Sequence, residues 1–137
     1  MKYVRKFAFL VSILTLLSSC KKNESQTPDN LEQFGILGEW KLETRTINGN
    51  SDLSVLCCDY IMFKTGNELD DLKGEFEAFG NGYETDGVFE LNTVNSIIHF
   101  DYDNSQKSYE FQISNNIITF IYDENSQEVI ESWRKEE

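Results

Sequence analysis

The sequence predicts an all-β fold, a small up-and-down antiparallel β-barrel of about eight strands set behind an N-terminal signal peptide. The barrel rests on two observations. Apolar residues alternate with period two, and not 3.6, between residues 36 and 135, and turn-forming residues interrupt that alternation at short intervals. The signal rests on a third, a basic start (Lys2, Arg5, Lys6) followed by the apolar block 7–17.

Taken in order, the apolar block has 11 residues. That is about half of the roughly 20 needed to cross the hydrocarbon core, so it is a targeting segment and not a span. Residues 21–28, KKNESQTP, contain the only proline and no apolar anchor, the composition of a flexible tether. The chain therefore divides into a signal peptide (1–19), a cysteine and tether (20–33) and one barrel domain (34–137), long enough for a single core.

Strands are expected at 39–47, 58–64, 74–79, 82–91, 96–102, 108–114, 116–123 and 128–135. SYEFQIS shows the reason: Tyr109, Phe111 and Ile113 share one face, while Ser108, Glu110, Gln112 and Ser114 share the other. The turns fall at Asn48-Gly49, Thr65-Gly66-Asn67, Gly80-Asn81-Gly82 and Asn115-Asn116. The echo between YDNSQ (102–106) and YDENSQ (122–127) makes the last four strands a meander, with both echo loops at one end and the Asn115-Asn116 turn at the other. No segment after residue 36 has the pattern of an amphipathic helix.

Charge excludes some functions. Loss of Lys2, Arg5 and Lys6 with the signal takes the formal charge from -12 to -15. Such a field repels phosphate backbones and anionic head groups, so neither nucleic-acid binding nor a basic membrane patch is expected.

Few residues invite chemistry. His99, the only histidine, alternates onto the face opposite Ile98, Phe100 and Tyr102, where a strand histidine is a surface residue and not a catalyst. Asp101-x-Asp103-x-Ser105 has the opening spacing of a calcium loop. It then has Gln106 where the glycine belongs and Gln112 where the bidentate glutamate belongs, so a hairpin turn is expected. ELDDLKGEFE (68–77) reads as a solvated edge. No metal, no cofactor and no enzymatic activity are expected. Cys57-Cys58 leaves two readings open, a strained vicinal disulfide or two separately buried thiols.

Leu17-Ser18-Ser19-Cys20 resembles the lipobox of bacterial lipoproteins. The resemblance implies cleavage before Cys20, a diacylglycerol on its sulfur, and residence in the cell envelope on a bacterial membrane, with the outer membrane expected. Two or three acyl chains, at about 0.8 kcal/mol per buried methylene, anchor a protein essentially for good.

ILGEWKL (36–42) resembles the Gly-x-Trp opening of lipocalins, and in particular the short lipocalin-like domains of Bacteroidota lipoproteins. The resemblance implies a short helical turn before the first strand, with Asp29 as its N-cap and Glu32 completing a capping box. It also implies a barrel end closed by Gly38 and Trp40, with Arg134 packed over the indole. Two functions then stay open. In one, the barrel carries a small apolar ligand between Tyr60, Met62, Phe76, Phe89, Tyr109 and Phe111. In the other, short aromatic strands fill the barrel, and its loops bind another envelope protein or a polymer.

Overall fold

The computed structural model describes residues 30–54, 58–67 and 71–137. A one-turn helix, α1 (Leu31–Phe34), precedes β1 (Gly38–Ile47), β2 (Asn50–Ser51), β3 (Tyr60–Thr65), β4 (Lys73–Gly80), β5 (Tyr83–Asn92), β6 (Ile97–Tyr102), β7 (Ser105–Ser114), β8 (Ile117–Glu124) and β9 (Gln127–Lys135). Each strand from β3 onward pairs antiparallel with the next, and β1 pairs with both β3 and β9, which closes an eight-stranded up-and-down barrel. The two-residue β2 is an addition to the expected set, a short hairpin folded back on the end of β1.

The hairpin turns follow from their residues. Asn48-Gly49, Asp103-Asn104, Asn115-Asn116 and Asn125-Ser126 each join strands through two residues of positive φ. That geometry matches the twist of the flanking strands and suits Asn, Asp and Gly. Asp103 thus serves the turn, and among the described residues no cluster of His, Cys, Asp or Glu is disposed to hold a metal.

Alternation fixes the inner wall. Trp40, Ile61, Phe63, Phe76, Phe89, Ile98, Phe100, Phe111, Ile118, Phe120 and Trp133 are buried in one continuous core. Rings meet edge to face, as at Phe63–Phe89 and Phe76–Phe100, both with centroids 4.9 Å apart. Such pairs add about 0.5–1.5 kcal/mol each beyond the area they bury. Room for them comes from glycine: Gly74 stands opposite Phe89 and Gly87 opposite Phe76 across the β4–β5 ladder. A Cβ on Gly74 would lie 2.6 Å from the Phe89 ring, and one on Gly87 would lie 2.3 Å from the Asp101 carbonyl.

One end is sealed. Trp40 is fully buried and donates its indole N–H to the Ile36 carbonyl at 2.7 Å, while Leu31 and Phe34 of α1 pack onto the core. The N-cap is Asn30, whose side chain accepts from the Gln33 amide at 2.9 Å. The cap is thus one residue later than the sequence suggested, because that spacing places the acceptor on the third helical amide; Asp29 lies outside the described residues.

Candidate functional site: the open end of the barrel

Among the described residues, an interior cluster of acidic, basic and phenolic side chains forms toward the end opposite α1. Trp40 and Leu42 face inward, and unbroken alternation would next point Thr44 inward and Arg45 outward. The β1–β9 register instead shifts between Leu42 and Thr44, so Glu43 is a bulge and Arg45 lies opposite Glu131 on the inner face.

Around Arg45 the interior is acidic and aromatic. Its guanidinium pairs with Glu124 at 2.9 Å, Glu131 at 3.6 Å and Asp52 at 3.8 Å. The buried Arg45 Nε is ion-paired with Glu131 but makes no hydrogen bond among the described residues. Glu131 accepts from the Tyr122 hydroxyl at 2.9 Å and from the Trp133 indole at 3.2 Å. Burial pushes the Glu131 carboxyl above its usual range, against the opposing pull of Tyr122, Arg45 and Trp133. Burial likewise raises the hydroxyls of Tyr109 and Tyr122, which stay protonated donors at neutral pH.

At the rim, Tyr83 of β5 folds over Gly80 and hydrogen-bonds Asp59. A Cβ on Gly80 would lie 2.2 Å from the Asp59 carboxylate and 2.4 Å from the Tyr83 ring, so only glycine leaves space for this contact. The wall is also split on one side. β7 pairs with β8 only from Glu110 to Ser114, whereas Ser105–Tyr109 pair with β6 alone and Tyr122–Glu124 with β9 alone. Tyr109 and Tyr122 stack across the gap, 4.2 Å between centroids and 21° between planes. A concavity of about 270 Å³ occupies it.

The residues singled out from the sequence disperse. Phe76, Phe89 and Phe111 face inward and are packed into the core, and Tyr109 faces inward at the open end. Tyr60 and Met62 face outward instead. The pairing of Trp40 with Ile61 gives the inner positions of β3 to Ile61 and Phe63, leaving Tyr60 stacked on Phe79 on the outer wall. Arg134 also lies outside, bound in two places by the Glu43 carboxylate. The cation over the Trp40 ring is Lys135, 5.4 Å from the centroid, which also donates to the Gly35 carbonyl at 3.1 Å. The same alternation explains it, since Trp133 inward puts Arg134 outward and Lys135 inward. Gly38 has a φ of 116°, and a Cβ there would lie 3.2 Å from Lys135.

His99 is exposed on the outer wall beside Ser108, with 2.7 Å between Nδ1 and Oγ. Both line a shallow groove of about 590 Å³ across β4–β7, together with Lys73, Glu75, Glu90 and Asp101. Cys58 is disulfide-bonded; Cys57 and Cys20 lie outside the described residues. Sequence reading missed Arg45, Glu131 and Tyr122. Two charged residues at inward positions of adjoining strands were the available signal, but the bulge hid it.

Fold and site together define a closed up-and-down β-barrel with a sealed apolar end and a polar, tyrosine-rich open end. No family model, curated protein or solved structure matches the chain.

Proposed function

We propose that the protein is a lipid-anchored envelope protein whose lipocalin-like barrel is a solid, non-enzymatic binding module that recognises its partner at the open end. The observation that carries the reading is the filled interior. Phe63, Phe89 and Phe120 are at most 2 % exposed, and they occupy the space in which a carrier would hold its cargo. An apolar carrier would also gain nothing from a half-buried Arg45–Glu131 pair at the entrance, since desolvating charges is costly.

Anchoring is compatible with the fold. Ten peptide units separate Cys20 from Asn30, a reach of at most about 35 Å, and α1 lies at the sealed end. A lipid on Cys20 attaches the domain through its α1 end, on a tether about as long as the barrel strands. The chain's negative charge supports the same arrangement, with lipid and not protein surface making the attachment.

Two arms test the proposal in the full chain. Cys20→Ser should abolish incorporation of a tagged fatty acid and release the protein from membranes, and normal retention would refute the anchor. An environment-sensitive apolar dye should show no saturable binding that depends on the core. Micromolar binding lost on Phe111→Ala would establish the carrier instead.

A further inference from the structure

The gap between β7 and β8 is where the barrel departs from a continuous wall, and its lining is chemically consistent. Tyr109 and Tyr122 form its inner side, Asp123 and Glu124 its acidic lip, and Lys107 and Ser108 the remainder. Lys107 alternates inward and holds its ammonium 5.9 Å from the Tyr102 ring centroid. Cation–π attraction operates within about 6 Å of a ring centroid, so the open end already seats one ammonium group on a tyrosine, Tyr102 of β6, next to the slot that Lys107 helps to line. Behind the lip, the single Arg45 guanidinium is shared among Glu124, Glu131 and Asp52, so carboxylates outnumber it at this end.

We infer that this slot binds a primary alkylammonium group, carried by a small amine or by a lysine side chain of a partner, in competition with the chain's own Lys107. The inference rests on the open-end reading above and gives that site its ligand class. A concavity of about 270 Å³ has room for a side-chain-sized group. An ammonium donates up to three hydrogen bonds; the Asp123 carboxylate and the Glu124 oxygen not held by Arg45 accept them, and the tyrosine rings cover the methylenes. A carboxylate ligand would meet the acidic lip, and like charges repel it.

The test uses the full-length chain in detergent with ¹³C-labelled tyrosine and histidine rings and three small probes: propylammonium, propionate and propanol. Propylammonium should shift the Tyr109 and Tyr122 resonances saturably, whereas the other two should not. Lys107→Gln should tighten binding by roughly threefold to tenfold, and Glu124→Gln should weaken it by a similar factor. A capped lysine peptide that binds at least about tenfold more tightly than propylammonium assigns the ammonium to a protein partner; equal or weaker binding assigns it to a free amine. Equal shifts with propionate or propanol, or no saturable shift with any probe, overturn the ammonium assignment and leave the open-end reading standing. Shifts confined to His99 and the outer groove overturn both.

Discussion

Arg45 shows how one residue decides what an interior contains. The extra position at Glu43 reverses the parity of β1, so a side chain that alternation assigns to solvent enters the barrel and meets Glu131. The same position supplies the outer carboxylate that binds Arg134. Tyr83 responds to the charge gathered at this end. Its hydroxyl is pushed from 10.0 up to about 12, first by burial and then by Asp59 and Glu131. A folded-state value above the unfolded one stabilises the fold fully below pH 10.0, and that contribution is lost as pH rises through about 12. Absorbance titration of wild type minus Tyr83→Phe should therefore show a phenolate step near pH 12, and the variant should lose stability less steeply between pH 10 and 12. A difference step at the ordinary value would contradict the Asp59 contact.

At the scale of elements, the β4–β5 hairpin depends on cross-strand pairs of glycine with an aromatic ring. Gly74–Phe89, Phe76–Gly87 and Gly80–Tyr83 alternate along it, and each ring occupies the volume its partner leaves. Gly87→Ala would place a methyl 2.3 Å from the Asp101 carbonyl and 2.8 Å from the Tyr102 Cβ, so the β5–β6 contact must move. Overpacking of this kind costs about 3 kcal/mol. Gly82 has a φ of 90° and nothing within 4 Å, so Gly82→Ala carries only backbone strain, about 1 kcal/mol. Urea denaturation of the two variants should return that order, and equal losses would show that the rings do not need the glycines.

The whole molecule combines a filled barrel with a large excess of acid. Formal charge is -12 for the full chain, and self-repulsion on this scale opposes compaction. Raising ionic strength from about 0.01 M to about 0.15 M shortens the screening length from roughly 30 Å to roughly 8 Å. The melting temperature should rise by about 2–8 °C, equivalent to about 1 kcal/mol. A fall would mean that the surface ion pairs, such as Arg134–Glu43, outweigh the general repulsion.

All eight expected strands are present, because a two-residue period states locally which side of a sheet each side chain takes, and Asn-rich pairs state locally where the chain reverses. The echo loops at 103–104 and 125–126 lie at one end for the same reason. Which face of each strand points inward is not local information. It depends on register with a distant partner, and this decided that Ile61 and Phe63, not Tyr60 and Met62, line the core, and that Lys135, not Arg134, covers Trp40. The open-end site is further from the sequence still. Arg45, Tyr83, Tyr109, Tyr122 and Glu131 come from five strands, and only barrel closure between β1 and β9, with one bulged residue in the seam, brings them together. The sequence by itself determined the strands, their turns and the acidic charge, because those follow from neighbouring residues; the tertiary structure alone decided the contents of the barrel, because parity across a closed sheet is set by all its strands at once.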